Sequence, residues 1–225
     1  MRIVITGGSR GLGLEIVKAM NKNVITDWSL GTGVDLAVPA QIKKAARQIN
    51  FEKVDILINC AGINEIKWFH NLTIDDWDDI MNVNSRAIFL TTHALLENLR
   101  GGTVLNIVSN ASHVPMTCSL AYNASKGAAA IMTKQMHREL FKTHNITVFS
   151  ISPNKLKNTG MSRYIDERVL VTRGWTKEQA KKYQLASLPA GEETDPKVLA
   201  EFIAFLLEKK ERHKYLGGCD IPYGG

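Results

Sequence analysis

Near its start the chain reads Ile3-Val4-Ile5-Thr6-Gly7-Gly8-Ser9-Arg10-Gly11-Leu12-Gly13. The β-branched residues that open this stretch are typical of a buried parallel strand. The apolar residues after it have the spacing of an amphipathic helix: Leu14, Ile16, Val17 and Met20. A strand, a glycine-rich turn and a helix in this order favour a loop that cradles phosphate. Glycine permits close backbone approach, and the helix N-terminus offers free N–H groups.

The composition fits a single domain over residues 1–225. The 225 residues are 44% hydrophobic, which is enough for one sizeable core. No apolar run is long enough for a membrane span, and no basic and apolar leader precedes the first strand, so we expect no membrane segment and no secretion signal. The three cysteines have no metal-ligand spacing, so we expect no metal site and free thiols in a reducing cytoplasm: Cys60, Cys118 and Cys219.

The net charge of +6 permits an anionic partner. However, the chain has no zinc-finger spacing, no aromatic RNA-binding signature and no long run of arginine or lysine. We therefore expect no nucleic-acid partner.

Strands and helices alternate along the rest of the chain. Strands are expected at 24–26, 34–36, 54–59, 103–108 and 147–151, with a last short strand near Ile221. Helices are expected at 39–49, 73–99, 121–144 and 196–210. The alternation predicts an α/β fold: a single doubly wound (Rossmann) domain with a mostly parallel seven-stranded sheet and helices on both faces. The link at 28–33 is too short for the usual crossover helix.

Two residues near the glycine loop give opposite indications about a nucleotide. Asp27 follows the second strand, where an acid binds ribose hydroxyls and disfavours a 2′-phosphate, which favours NAD. Arg10 lies in the loop itself and could pair with a 2′-phosphate, which favours NADP. Because Asp27 lies where the ribose is expected, the sequence favours NAD slightly over NADP.

Tyr122 and Lys126 are four residues apart in the helix predicted at 121–144. Residues at this spacing share one face of a helix, so the phenol and the ammonium are expected side by side. A neighbouring cation favours tyrosinate, so we expect Lys126 to lower the pKa of Tyr122 and make it a usable acid or base. The pair alone is weak evidence, because a chain with 5 tyrosines and many lysines could contain it by chance.

Five motifs in order resemble those of the short-chain dehydrogenase/reductase family, in particular its 3-oxoacyl reductase branch. They are Thr6-Gly7-x-x-x-Gly11-x-Gly13, Asn59-Cys60-Ala61-Gly62, Val83-Asn84, Ser109 thirteen residues before Tyr122, and Tyr122-x-x-x-Lys126. The resemblance covers nearly the whole chain. It implies hydride transfer between NAD or NADP and a carbonyl or secondary alcohol.

The resemblance also implies roles for individual residues. Tyr122 would be the acid in reduction and the base in oxidation, while Lys126 would lower its pKa and hold the nicotinamide ribose. Ser109 would orient the substrate oxygen, and Asn84 would anchor a water in the proton path behind Lys126. The implied cofactor-binding residues are Gly7, Ser9, Arg10, Gly11, Leu12, Gly13, Asp27, Asp35, Leu36, Asn59, Ala61, Gly62, Tyr122, Lys126, Pro153 and Thr159.

The chain departs from the family pattern at three places. Cys60 takes the second position of the usual Asn-Asn-Ala-Gly motif. The usual Pro-Gly is Pro153-Asn154, and Thr159 stands one residue late for its contact to the nicotinamide amide. Since asparagine tolerates a left-handed backbone, we expect the turn to survive. The shortened link at 28–33 removes a helix that the family usually has beside the adenosine.

The substrate is less well indicated than the chemistry. The resemblance places a substrate lid at about 155–190, and the basic residues within 155–182 favour either an anionic substrate, such as an acyl carrier or a phosphorylated sugar, or a solvated helical face. We interpret the chain as a ketone reductase of the 3-oxoacyl reductase kind, with a sugar or polyol dehydrogenase as the alternative. A cofactor-binding regulator without turnover is an alternative of another class. The two long helices are expected to pack in a homo-oligomer, a dimer or a tetramer.

Overall fold

The computed structural model describes residues 1–49, 53–186 and 188–224. One sheet contains β1 (Arg2–Thr6), β2 (Val24–Trp28), β3 (Ile56–Asn59), β4 (Thr103–Ile107), β5 (Thr147–Pro153) and β6 (Asp220–Tyr223). The strand order is β2-β1-β3-β4-β5-β6, and every neighbouring pair is parallel. The register sets Ile5 beside Ile58 and Leu105 beside Phe149. The predicted α/β fold with a doubly wound parallel sheet is confirmed.

Helices cover both faces of this sheet. They are α1 (Gly11–Ala19), α2 (Pro39–Arg47), α3 (Ile74–Met81), α4 (Ala87–Ala94), α5 (Leu120–His144), α6 (Gly160–Arg173), α7 (Lys177–Ala186), α8 (Pro196–Leu207) and α9 (Lys210–His213). Successive strand residues point to opposite faces, so Ile3 and Ile5 join one core with α1 and α8, while Val4 joins a second core with α2. No helix in the described residues is long and apolar enough to cross a membrane.

The predicted strand at 34–36 is wrong, and the sheet has six strands in the described residues rather than seven. Residues 30–32 form a 3-10 turn, which Ser29 and Thr32 close by mutual hydrogen bonds. The link is too short to cross the sheet and lay a strand beside β2, so β2 remains the edge. Leu36 turns inward instead and packs in the second core.

The helix predicted at 73–99 is not continuous. A π-helical turn at Asn82–Arg86 separates α3 from α4, and turns follow α4 from Leu95 onward. A π-turn carries an extra residue and occurs often at functional sites. Here it directs Asn84 and Ser85 into the interior, where they are 1% and 4% exposed. The second long helix, α5, begins one residue before its predicted start and ends where predicted.

A buried chain of hydrogen bonds fastens the middle strands to α4 and α5. Asn59 at the end of β3 donates to Asn106 Oδ1 (2.9 Å) and accepts from Thr91 of α4 (2.8 Å). Asn106 in turn donates to Thr133 of α5 (2.9 Å). All four side chains are buried, so each depends on its neighbours in the chain for hydrogen bonds.

Replacing Asn106 with alanine should therefore destabilise the fold. The substitution leaves Asn59 Nδ2 without its acceptor, whereas Thr133 Oγ1 keeps its bond to the Ala129 carbonyl at 2.9 Å. We expect the free energy of unfolding, measured by urea denaturation, to fall by about 2 kcal/mol, since an orphaned buried polar group costs about 1–3 kcal/mol. The control Asn71→Ala, at an exposed turn, should change it by less than about 0.5 kcal/mol. An unchanged Asn106→Ala would mean that the fold does not depend on this network.

Candidate active site

The glycine loop after β1 forms a cradle that has no room for side chains. A Cβ at Gly13 would overlap the carbonyl oxygen of Gly7, and one at Gly7 (φ +72°) would lie 2.9 Å from Ala61 Cα. Gly11 has a φ of +56°, which other residues rarely adopt. Arg10 caps α1 without a side-chain hydrogen bond, so its side chain leaves the amides of the first turn open. The loop and the helix N-terminus therefore fit the pyrophosphate of a dinucleotide.

Asp27 connects the second strand to this loop. Its carboxylate accepts from the Gly8 N–H and the Ser29 hydroxyl, both at 2.7 Å. The 3-10 turn at 30–32 packs closely on the same loop, because a Cβ at Gly31 would lie 2.9 Å from Ser9 Cβ. The carboxylate is thus held in place at the end of β2, where the ribose of a bound dinucleotide is expected.

The other residues predicted near the adenosine are less directly engaged. Arg10 is exposed and has no side-chain partner in the described part of the chain. Leu12 is buried beneath the glycine loop, and Leu36 is buried in the second core. Asp35 accepts a backbone N–H at 2.9 Å in the turn before α2. Of the two residues that indicated a cofactor preference, Asp27 alone is fixed by contacts to the cradle.

The end of β1 anchors the segment that follows β3. Thr6 Oγ1 accepts from the N–H groups of Cys60 (3.0 Å) and Ala61 (3.2 Å). The amide of Asn59 is committed to the buried network, which leaves its backbone for the predicted cofactor contact. Burial raises the pKa of the Cys60 thiol to about 12. The cysteine in place of the family's asparagine is therefore protonated and unreactive at neutral pH.

Asn84 holds the chain just beyond Gly62. Its amide accepts from the Ile63 N–H and donates to the Ile63 carbonyl, both at 2.8 Å, and it also donates to Ser125 Oγ of α5 at 3.0 Å. Gly62 lies next to the same side chain and to Lys126, since a Cβ there would be in van der Waals contact with Asn84 Oδ1 (3.5 Å) and Lys126 Nζ (3.6 Å). The π-turn thus places Asn84 beside Gly62 and Lys126, and its water-anchoring role stays a prediction.

Ser109, Tyr122 and Lys126 come together at the end of β4. Ser109 follows the strand, Tyr122 and Lys126 lie one turn apart on α5, and all three side chains are buried. The Ser109 hydroxyl accepts from the Ala111 N–H at 3.2 Å and is near enough to Tyr122 to affect the pKa of its phenol. Lys126 Nζ donates to the Ile107 carbonyl at 3.0 Å and lies 5.8 Å from the centre of the Tyr122 ring. The fold therefore brings three of the predicted catalytic residues within reach of one another.

Burial controls the ionisation of this cluster. It raises the pKa of Tyr122 above its ordinary 10, against the opposing effect of Ser109. It also lowers the pKa of Lys126 to about 8. In the chain without a bound cofactor, the prediction that Lys126 lowers the pKa of the phenol is wrong, because the pKa of Tyr122 is raised. Both groups are removed from water, which favours their uncharged forms.

In the segment after β5, Thr159 stands one residue later than in the family pattern, and the left-handed residue is not where it was predicted. The strand ends at Pro153, and the left-handed residue is Asn158 (φ +59°) rather than Asn154. Thr159 caps α6, since its Oγ1 accepts from the Ser162 N–H at 3.0 Å. Asn158 therefore absorbs the additional residue, and the Thr159 hydroxyl already has a partner in the helix.

Basic residues of the predicted lid have acidic partners within the chain. Lys155 bonds Glu193 at 2.8 Å and also bonds Asp166. Lys157 pairs with Asp195 at 3.2 Å. These pairs weaken the case for an anionic substrate, because their positive charge is already balanced in the folded chain.

The segment predicted to be the lid, 155–190, contains α6 and α7. Within it, Ser187 lies outside the described residues. Helix α6 contacts the segment 62–68. Met161 Cε comes within 4.0 Å of where a Cβ on Gly62 would be. Further along the helix, Tyr164 Oη donates to Glu65 at 2.6 Å, and Arg168 reaches the same carboxylate at 3.3 Å. Sequence reasoning missed these contacts, since the partners are 99 and 103 positions apart.

A second contact that sequence reasoning missed supports the loop carrying Ser109. Asp220 of β6 accepts from the hydroxyls of Ser150 (2.6 Å) and Ser152 (2.7 Å). It also bonds His113 Nε2 at 2.6 Å, in the turn that follows Ser109. Asp220 thereby fixes this turn against β5 and β6.

Comparisons with known proteins agree with this arrangement. Residues 1–169 match the family described as short chain dehydrogenase. The chain is 31% identical to 3-oxoacyl-[acyl-carrier-protein] reductase FabG of Buchnera aphidicola, over 74% of this chain and 78% of the relative. It is 29% identical to 5-keto-D-gluconate 5-reductase of Escherichia coli K12, over 92% and 88%. A short chain dehydrogenase from Burkholderia cenocepacia in complex with NADP shares the fold, with a TM-score of 0.80 and 23% identity over 100% and 96% of the chains.

The site thus has the parts of an enzyme that works with a bound dinucleotide: a glycine cradle and a buried serine, tyrosine and lysine. The chain belongs to the short-chain dehydrogenase/reductase family, as its five motifs predicted. It is therefore an NAD(P)-dependent oxidoreductase, and its relatives include the 3-oxoacyl reductase branch.

The buried ammonium of Lys126 should destabilise the folded chain at neutral pH. Its pKa falls from 10.5 to about 8 on folding, so between these values the unfolded chain binds more protons, and the fold gains stability as the pH rises. We expect Lys126→Met to unfold with a free energy about 1–3 kcal/mol higher than wild type at pH 7. The difference should shrink between pH 8 and pH 10.5.

Guanidinium denaturation of the cofactor-free protein across this pH range measures the effect. The control is Lys134→Met, at an exposed position of the same helix, which should match wild type at every pH. A difference for Lys126→Met that does not change with pH would contradict the lowered pKa.

Proposed function

We propose that the chain is a ketone reductase in which Tyr122 gives a proton to the substrate oxygen. The observation that supports this most is the burial of Ser109, Tyr122 and Lys126 together, with Lys126 next to Gly62 in the segment that packs on the glycine cradle. When bound, NADH or NADPH would supply the hydride. Ser109 would hold the substrate oxygen by a hydrogen bond, while Tyr122 gives a proton in reduction and takes one in oxidation.

The ionisation of the cluster suits reduction. The raised pKa of Tyr122 keeps the phenol protonated until the substrate oxygen gains negative charge. Lys126, directed at the Ile107 carbonyl, would bind the nicotinamide ribose and favour the transient tyrosinate. Asn84, which lies beside Gly62 and Lys126, would hold the water that returns the proton.

We propose NAD as the preferred cofactor. The Asp27 carboxylate, held by Gly8 and Ser29, would accept from the ribose hydroxyls and repel a 2′-phosphate. The exposed Arg10 and the NADP-bound structural relative are the observations that favour NADP. The further contacts we propose for the cofactor come from Gly7, Ser9, Gly11, Leu12, Gly13, Asp35, Leu36, Asn59, Ala61, Gly62, Pro153 and Thr159.

Two substrate classes are candidates. The first is a 3-oxoacyl thioester, the class to which the name of the Buchnera relative refers. The second is a hydroxylated ketone, which the name of the 5-keto-D-gluconate relative and the polar contacts of the lid favour. A regulator that binds cofactor without turnover is the alternative of another class, and the presence of Ser109, Tyr122 and Lys126 argues against it.

We propose a homo-oligomer, a dimer or a tetramer, in the cytoplasm. Phe89 of α4 and Ile131 of α5 leave apolar surface exposed on the two long helices that are predicted to pair. Packing these helices against a second copy would remove that surface from water. A single species of monomer mass in sedimentation at micromolar concentration would contradict this assembly.

Tyr122→Phe should remove turnover and leave cofactor binding nearly intact. The substitution deletes one buried hydroxyl, and we expect kcat to fall by about 10²–10⁴-fold because general acid catalysis contributes that much. The measurements are NADH oxidation with acetoacetyl-CoA and with 5-keto-D-gluconate, and NADH affinity by fluorescence. Tyr215→Phe, at an exposed position, is the control and should keep full activity. Near-normal turnover of Tyr122→Phe would refute the proposed acid.

Asp27→Ala should reduce the preference for NADH over NADPH. We expect the ratio of kcat/KM for the two cofactors to favour NADH in wild type and to fall by about tenfold, which corresponds to about 1.4 kcal/mol. The ratio is the informative quantity, because loosening the Gly8 contact affects both cofactors. Ser29→Ala keeps the carboxylate and removes one hydrogen bond, so its ratio should stay near wild type. A wild-type preference for NADPH that Arg10→Ala abolishes would reverse the assignment.

A further inference from the structure

Unpaired polar atoms are concentrated at the lid. In the described part of the chain, four buried side-chain polar atoms lack a hydrogen-bond partner. Three of them belong to α6 or to the segment it covers: Asn64 Oδ1, Arg168 Nε and Arg173 Nε. The fourth, His213 Nε2, lies beside β4, where the other ring nitrogen bonds Thr103. Proteins pair nearly all such atoms with protein or water, so unpaired ones gathered at one place mark where a partner from outside the chain, a water or a ligand group, is needed.

Asn64 and Arg168 belong to what we call the lid seam, formed by residues 62–68 and the face of α6 that carries Met161, Tyr164 and Arg168. The lid seam starts where Met161 approaches Gly62, beside Lys126. It continues past Tyr164 and Arg168, which both bond Glu65. At 1.5 Å rise per residue, Arg168 is about 10 Å beyond Met161 along the helix. A substrate whose carbonyl lies at Tyr122 would extend along this seam.

The unpaired atoms specify the chemistry that would satisfy them. Arginine Nε–H is a donor and asparagine Oδ1 is an acceptor, and a hydroxyl group can pair with either. The missing group need not be an anion, because the Glu65 carboxylate already balances the charge of Arg168. An alkyl chain in the seam would leave both atoms unpaired and away from water, which is unfavourable.

We infer that Asn64 and Arg168 select substrates that carry hydroxyl groups beyond the reacting carbonyl. The inference rests on the proposed ketone reductase function and favours the hydroxylated ketone over the 3-oxoacyl thioester. Asn64 Oδ1 accepts from one substrate hydroxyl, and Arg168 Nε donates to another. Glu65 holds the guanidinium by Nη2, which leaves Nε for the substrate.

The test compares two substrates that differ in their hydroxyl groups. One is 5-keto-D-gluconate, and the other is 5-oxohexanoate, which has the same carbon chain, carboxylate and ketone without the hydroxyls. We expect wild type to favour the hydroxylated ketone by tenfold or more in kcat/KM. Asn64→Leu removes the acceptor, and Arg168→Lys keeps the charge while removing the Nε donor. Each should lower kcat/KM for 5-keto-D-gluconate about tenfold and leave that for 5-oxohexanoate within twofold.

Two control variants separate recognition from closure of the lid. Glu65→Gln weakens the bonds that close the seam, so it should impair both substrates to the same degree. Val171→Ala, on the exposed face of α6, should change neither.

Several results would overturn the inference. These are equal losses for both substrates in Asn64→Leu and Arg168→Lys, or a wild type that reduces acetoacetyl-CoA or 5-oxohexanoate better than 5-keto-D-gluconate. The last two would leave the ketone reductase function standing. Absence of NADH and NADPH oxidation with every carbonyl would refute the proposed function, and the inference with it.

Discussion

The close backbone approach between the glycine loop and the segment after β3 is the constraint on which the rest of the site depends. Gly7 is in contact with Ala61, and Gly13 packs on the carbonyl of Gly7, so neither position accepts a side chain. Thr6 adds hydrogen bonds to the same segment. This contact fixes the distance between the glycine loop and Gly62, which lies next to Lys126. A bound cofactor would span this distance, so the ends of β1 and β3 would position both parts of its site.

The regular elements could be predicted because their signals are local. The β-branched run before Gly7, the helical spacing of apolar residues after it, and the spacing of Tyr122 and Lys126 can each be recognised from a short stretch of sequence. The prediction of a strand at 34–36 was wrong for two reasons. The link before it is too short for a crossover, and Leu36 is apolar because it packs in the core. The π-turn was not predicted, since no residue type in Asn82–Arg86 indicates a change of helical pitch.

Other features depend on distant residues and on solvent, which spacing does not encode. The bonds from Tyr164 to Glu65 and from His113 to Asp220 exist because the fold brings separate segments together. Burial raises the pKa of Tyr122 because it excludes water from the phenol, and this effect outweighs the opposing effect of Ser109. The sequence could thus single out the residues that we propose for the chemistry, whereas their electrostatics and the contacts of α6 required the structure.

The position of β2 at the edge of the sheet has a consequence for the architecture as a whole. Losing a strand from the margin of an open sheet exposes the backbone of one neighbour, while losing an inner strand would break two ladders and the register between them. The glycine cradle and the proposed catalytic residues lie by the ends of β1, β3, β4 and β5, all of which are inner strands. A sheet of this kind can therefore lack a strand beyond β2 while the proposed site keeps a neighbouring strand on both sides of each strand that carries it.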